Sequence, residues 1–220
     1  MPWLPPKYRP FAAEFAGTFC LVFCGTGAVI VNQQTQGQIG HAGVSAVFGL
    51  IVMAMIYSFG ETSGAHMNPA VTIGFTIAGL FNKNRVLSYI SAQIAGALVA
   101  SAFLKLLFPA SLTLGGTIPS GSVWQSFVLE IVLTFILMLV VLKTSQGSKE
   151  TGVMAGIAIG ATVLVEALFA GPISGASMNP VRSLAPAIIS GQLSTLWIYL
   201  IAPVIGAGLA SLLLAHFNKE

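Results

Sequence analysis

The fold is decided by two short stretches, SGAHMNPAVT at residues 63–72 and SGASMNPVRS at residues 174–183. Each contains an Asn-Pro pair that opens an apolar segment of ~12 residues, which is too short to cross a bilayer. Asparagine is a favoured N-cap, and proline is favoured at the first helical position. We therefore predict two short re-entrant helices that begin at Asn68 and Asn179.

The composition around these stretches is that of a membrane protein. Of the 220 residues, 55% are hydrophobic and only 7% are charged, whereas a soluble domain carries about a quarter charged residues. This excludes a cytosolic enzyme, a disordered chain and a nucleic-acid binder. The net charge of +3 is too small to indicate a polyanionic partner.

Six long apolar stretches predict six transmembrane helices, because about 20 apolar residues cross a bilayer core as a helix. Helices are favoured over a barrel since the runs are continuous rather than alternating. The predicted spans are roughly 11–31, 42–60, 86–108, 122–142, 152–170 and 195–215, and the short helices cover 68–80 and 179–190. Cys20 and Cys24 in the first span are interpreted as small packing residues.

Basic residues in the connections predict the orientation, because cytoplasmic loops are enriched in lysine and arginine. Those on one side are Lys7, Arg9, Lys83, Arg85, Lys143, Lys149 and Lys219. The opposite loops, around 32–41 and 109–121, contain none, and Lys105 is an exception that can snorkel outward. Both termini are therefore predicted to be cytoplasmic.

The two halves of the single domain 1–220 form an internal repeat, with 1–110 as the first half and 119–220 as the second. Glu14 and Glu130 are counterparts, 54 and 49 residues before the two asparagines. The matching downstream segments are QIAGA at 93–97 and PVIGA at 203–207. Three spans per half place the halves in opposite orientations, which is an inverted repeat with its functional site at the midplane.

This pattern resembles the aquaporin (major intrinsic protein) family, from AEFAGTF at 13–19 to PVIGA at 203–207. We call each Asn-Pro pair with the residue that follows it a box. The second box departs from the family pattern, because it reads Asn179-Pro180-Val181 in place of Asn-Pro-Ala. The stretch at 170–187 is most similar to the nodulin-like intrinsic proteins of plants and their bacterial relatives. The resemblance implies the aquaporin fold, a passive pore in each chain, no cofactor and a homotetramer in the lipid membrane.

The two asparagines and Arg182 are expected to face the pore. An N-cap asparagine accepts a bond with its oxygen, which leaves both amide N–H groups as donors for a permeating molecule. The helix N-termini add partial positive charge that repels cations but not neutral solutes. Arginine at this depth costs at least ~2.5–3.5 kcal/mol and therefore indicates an aqueous path, although structural pairing with a buried glutamate is an alternative.

The segments before the two boxes are expected to run extended and to offer backbone carbonyls to the pore, since irregular backbone at this depth needs a cavity. The carbonyls expected to line the pore belong to Gly64, Ala65, His66, Gly175, Ala176 and Ser177, and the extended segments end at Met67 and Met178. His66 is otherwise interpreted as a satisfied loop residue at the mouth.

The buried glutamates are expected to have partners. The resemblance implies that Glu14 and Glu130 accept hydrogen bonds from the backbone of the re-entrant loops. Glu166 is expected to be buried against the second loop and hydrogen-bonded, and Glu61 is interpreted as structural. A proton relay through these groups would indicate a coupled secondary transporter, but His66 alone near the pore does not supply one.

The resemblance also implies a four-residue filter, which by offset from the boxes falls on Phe48, Ala167, Ala176 and Arg182. Strict water channels generally carry histidine at the second position, so alanine predicts a wider opening with an apolar wall. The prediction is a passive channel for water and small uncharged solutes that excludes protons and ions. The nodulin-like resemblance implies that these solutes are glycerol, urea or metalloid hydroxides such as boric, silicic or arsenous acid.

Other functions remain open at this point. They are a water-selective aquaporin, a coupled transporter and a structural, junction-like membrane protein of little conductance. An enzyme is disfavoured because no nucleophile–base set or metal-ligand cluster occurs in the loops, so no catalytic or metal-binding residue is assigned. Short termini and compact loops favour a prokaryotic inner membrane.

Overall fold

The computed structural model describes residues 4–146 and 148–217, with Glu150 and Thr151 described by their backbone alone. The basic residue Lys219, used above to predict the orientation, lies outside the described residues. Within them, eight α-helices form: α1 Arg9–Gln34, α2 Gly40–Ser63, α3 Pro69–Ile77, α4 Val86–Leu107, α5 Val123–Ser145, α6 Lys149–Ser174, α7 Pro180–Ser190 and α8 Leu196–Phe217.

Six of these helices, all except α3 and α7, are long and apolar enough to cross a membrane. They coincide with the six predicted spans, and most extend a few residues beyond them, since helical hydrogen bonding continues past the apolar run. Large apolar side chains that the fold leaves exposed include Leu87, Leu106, Val165 and Leu212. Exposure of this kind fits a surface that faces lipid.

The two short helices begin where the sequence predicts, because Asn68 and Asn179 cap them and a proline follows each. The first ends earlier than predicted, at Ile77 rather than 80. Gly79 adopts a left-handed conformation with φ 74°, and the Leu80 amide donates to Phe75 O at 2.9 Å. This is the Schellman type of helix end, which glycine favours.

Glycines allow the long helices to pack backbone against backbone, as small residues do in membrane bundles. A Cβ atom at Gly96 in α4 would lie 2.3 Å from the carbonyl oxygen of Phe15 in α1. At the equivalent position of the other half, a Cβ atom at Gly206 in α8 would lie 2.3 Å from Ile131 O in α5. These contacts fix α1 against α4 and α5 against α8, and so they position the side chains on α1 and α5.

Candidate pore

Two cavities in the helix bundle share part of their lining. The large cavity has a volume of about 760 Å³ and reaches from Glu61 and Lys149 to Arg182. The small cavity has a volume of about 350 Å³ and lies among residues that include Asn32 and His41. Among the described residues, those that line both cavities are the four predicted filter positions, Phe48, Ala167, Ala176 and Arg182.

Both asparagines line the large cavity, and each bonds across to the other half of the chain. The Asn68 Oδ1 atom accepts from Ala70 N at 2.9 Å, while its Nδ2 atom donates to Met178 O at 2.7 Å. The Asn179 Oδ1 atom accepts from Val181 N at 3.1 Å, and its Nδ2 atom donates to Met67 O at 2.8 Å. The N-caps are therefore as predicted.

The expectation that both amide N–H groups of each asparagine are free is wrong. One N–H of each side chain is taken by the carbonyl of the opposite loop. The physical reason is that a buried carbonyl needs a hydrogen-bond donor, and the carbonyl of each loop finds one in the asparagine of the other loop. Each asparagine keeps a single N–H for a permeating molecule.

The loops before the boxes do not run extended, which corrects a second expectation. Gly64, Ala65 and Met67 have φ values of 85°, 47° and 50°. The second loop repeats the pattern, with φ values of 87°, 42° and 53° at Gly175, Ala176 and Met178. Left-handed backbone at a residue other than glycine costs about 1–3 kcal/mol, so surrounding contacts must hold it.

Glu14 in α1 supplies those contacts for the first loop. Its carboxylate is fully buried and accepts from Ser63 Oγ at 2.8 Å, His66 N at 2.8 Å and Met67 N at 2.7 Å. Two neighbouring amides can converge on one carboxylate only if the backbone turns sharply between them. The left-handed residues provide that turn, which explains why an extended loop does not form.

Glu130 in α5 does the same for the second loop. It is also fully buried, and it accepts from Ser174 Oγ at 2.7 Å and from the amides of Ser177 and Met178 at 2.8 Å each. The two loops are therefore built by equivalent contacts.

The carbonyls predicted to face the pore belong to loop residues that line the large cavity, apart from Gly175, which lines the small one.

Three residues that support the loops were missed by sequence reasoning. Gln93 Nε2 donates to Glu14 Oε2 at 2.8 Å. The hydroxyl of Tyr89 donates to Ser63 O at 2.9 Å, and the hydroxyl of Tyr199 donates to Ser174 O at 2.6 Å. The two tyrosines occur 21 and 20 residues after the box asparagines, and that matched spacing was the available signal.

Arg182 lies in α7, is 4% exposed and borders both cavities. Its Nη1 atom donates to Gly115 O at 2.9 Å, and its guanidinium lies over the Phe48 ring, 4.7 Å from the centroid. The hydrogen bond therefore goes to a loop carbonyl rather than to a buried glutamate. Its Nε atom is buried and has no hydrogen-bond partner among the described residues.

Glu166 departs from expectation. It is 5% exposed, as predicted, but neither carboxylate oxygen has a hydrogen-bond partner in the described part of the chain. The second loop is already satisfied by Glu130, which leaves it no free amide for a second carboxylate.

His66 has partners, as predicted for a satisfied loop residue. Its Nδ1 lies 3.1 Å from Thr72 Oγ1, and its ring stacks on the Phe75 ring with 4.8 Å between the centroids.

Comparison with known proteins fits this geometry. Residues 4–214 match the family model described as "Major intrinsic protein". The chain belongs to this family. The family assignment confirms the recognised resemblance and the predicted fold, and it makes the chain a multi-pass membrane channel rather than an enzyme.

Relatives within the family include plant proteins. Aquaporin NIP1-3 of Oryza sativa subsp. japonica is 50% identical over 196 residues, which cover 89% of this chain and 68% of the relative. Nodulin-26 of Glycine max is 41% identical over 92% of this chain and 75% of its own length. The nodulin-like resemblance is therefore confirmed, while the expected prokaryotic membrane finds no support among these plant relatives.

The fold also matches a solved structure of the family. The aquaglyceroporin from Plasmodium falciparum superposes with a TM-score of 0.85 at 28% sequence identity, and the match covers 94% of this chain and 95% of that one. Six spans and two short helices thus form an aquaporin fold in this chain.

Proposed function

We propose that the chain is a passive channel for water and for small uncharged solutes: glycerol, urea and metalloid hydroxides such as boric, silicic or arsenous acid. The observation that carries the proposal is the set of residues bordering both cavities, Phe48, Ala167, Ala176 and Arg182. A permeating molecule must pass this filter, and two of its four side chains are single methyl groups. The relatives named aquaporin and aquaglyceroporin support both parts of this range.

The filter discriminates by charge as well as by size. Arg182 places a fixed positive charge there, and the N-termini of α3 and α7 add partial positive charge at the paired asparagines. A cation or hydronium is repelled at both points. A hydroxylated neutral solute instead gains donors from Arg182, Asn68 and Asn179, and acceptors from the carbonyls of the two loops.

Size is the basis for preferring this range to a water-selective aquaporin. Ala167 and Ala176 leave space on one side of the filter, and Phe48 keeps an aromatic wall on another. Coupled transport has less support, since it needs an ion site or a chain of titrating groups. In the described residues, no group of three or more histidine, cysteine or acidic side chains could hold a metal ion.

The assembly and topology belong to the same proposal. We infer a homotetramer with one pore per chain, and both termini on the cytoplasmic side. Lys7, Lys83 and Lys143 support this topology, because Lys7 precedes α1, Lys83 lies between α3 and α4, and Lys143 lies in the last turn of α5. The alternation of the six spans places all three on one side, where the positive-inside rule expects basic residues.

The proposal is tested by reconstitution into liposomes and stopped-flow light scattering, first against water and then against glycerol, urea and boric acid. We expect all four to pass, with fluxes that are linear in the gradient and insensitive to a proton uncoupler. Flux of water alone would contradict the wide filter. Flux that collapses with the uncoupler would favour a coupled transporter.

A substitution in the filter sharpens the test. Ala167→His adds bulk and a polar contact at the filter, so we expect glycerol and urea permeability to fall by about tenfold, corresponding to about 1.4 kcal/mol of barrier, while water permeability falls much less. Ala167→Val is the matched variant that adds bulk without the polar contact. Equal losses for water and glycerol in Ala167→His would contradict the filter assignment.

A further inference from the structure

Gly25 in α1 stands directly against the aromatic side chain of the filter. A Cβ atom built on Gly25 would lie 2.2 Å from Cε1, 2.5 Å from Cδ1 and 2.7 Å from Cζ of Phe48. Real Cβ atoms essentially never approach other atoms within 3.0 Å. The Phe48 ring therefore occupies space that exists only because residue 25 has no side chain.

The Phe48 ring has few directions in which to move. Its side chain is 9% exposed, and the Arg182 guanidinium lies over the ring at 4.7 Å. The open space beside it is that of the two cavities, which it helps to line. A side chain at position 25 would therefore displace the ring toward the solute path or against Arg182.

We propose that Gly25 is a specificity-determining residue of the channel, because it sets how far the Phe48 ring stands back from the path of the solute. Gly25 lines neither of the two cavities; it acts through Phe48 and is a positioning residue. The inference deepens the proposed function and rests on the assignment of Phe48, Ala167, Ala176 and Arg182 as the filter.

The same helix provides a matched control. Gly27 lies two positions further along α1, and a Cβ atom there would meet only Leu104 Cδ2 at 3.4 Å, which is close to ordinary van der Waals contact. Gly27→Ala makes the same chemical change in the same helix, with a similar gain in helix propensity. It leaves the filter side chain untouched.

The experiment measures single-channel permeability ratios in liposomes for wild type, Gly25→Ala, Gly27→Ala, Phe48→Ala and the double variant Gly25→Ala/Phe48→Ala, normalised to inserted protein. We expect Gly25→Ala to lower the glycerol-to-water ratio by about tenfold, equivalent to about 1.4 kcal/mol of barrier. Gly27→Ala should keep the wild-type ratio. In the Phe48→Ala background the alanine at position 25 should have no effect on the ratio.

Three results would overturn the inference: an unchanged ratio in Gly25→Ala, an equal loss of water and glycerol flux, or the same loss in the absence of the Phe48 ring. If Gly25→Ala fails to fold, the double variant must fold, since the clash is gone, and its failure also overturns the inference. A wild type that passes water alone would refute the proposed solute range instead. In that case the positioning role of Gly25 is tested by water permeability, which must fall in Gly25→Ala and must not fall in the double variant.

Discussion

Glu130 and Glu166 are buried carboxylates on α5 and α6 with opposite surroundings. Glu130 accepts three hydrogen bonds from the second loop, whereas neither oxygen of Glu166 has a partner among the described residues. Glu130→Gln replaces an acceptor by a donor, so it should destabilise the protein by about 1–3 kcal/mol for each amide left unsatisfied. Glu166→Leu removes an unpaired polar group and should stabilise by a similar amount, about 1–3 kcal/mol.

Thermal unfolding in detergent, followed by tryptophan fluorescence, distinguishes the two carboxylates. We expect the midpoint to fall for Glu130→Gln and to rise for Glu166→Leu. A fall in both variants would mean that Glu166 has a partner which the described residues do not supply. That outcome would contradict the environment described for Glu166.

Single residues differ in how far their roles follow from sequence. Asn68 and Asn179 were predictable as caps because capping depends on neighbours within one turn. The left-handed backbone at Ala65 and Met67 was not, because no local propensity favours it outside glycine and asparagine. It follows from Glu14, which is more than 50 residues away in the chain and selects the loop conformation through tertiary hydrogen bonds.

At the scale of helices, two glycines are expected to control close packing. Ala at position 96 or 206 would place a Cβ atom 2.3 Å from a backbone oxygen of the partner helix, which cannot move without its whole helix. We expect Gly96→Ala and Gly206→Ala each to destabilise by about 1–3 kcal/mol, the usual cost of overpacking. The unfolding midpoint in detergent measures this.

Gly208→Ala in α8 is the control for this pair. A Cβ atom there would lie 3.6 Å from Ile77 Cδ1, an ordinary contact, so the change should be neutral or slightly stabilising through helix propensity. Equal midpoints for all three variants would show that backbone contact does not limit the spacing of these helices. The matched QIAGA and PVIGA segments identified the positions in the sequence, but not the helix that each one touches.

At the scale of the molecule, topology is the main expectation left to test. In a background of Cys20→Ser and Cys24→Ser, Gln38→Cys and Ser148→Cys place single thiols at exposed positions in opposite connections. An impermeant maleimide added to intact cells should label Gln38→Cys alone, and Ser148→Cys only after permeabilisation. The reverse pattern would place both termini outside and refute the topology.

The bundle itself follows from sequence to a large extent. Six apolar runs of about 20 residues leave few alternatives in a membrane, and the inverted repeat orders them. The sequence does not predict the two cavities in this way, nor that they meet at Phe48, Ala167, Ala176 and Arg182. They depend on how far helices approach each other, which is decided by contacts such as that between Gly25 and Phe48.

The crossed bonds of Asn68 and Asn179 make the two loop tips one cooperative unit. Each tip supplies the donor for the other's carbonyl, so opening either one breaks both bonds. Opening of the two tips is therefore coupled, although they come from different halves of the chain. A movement of one tip alone would therefore have to break the hydrogen bonds of both asparagine side chains.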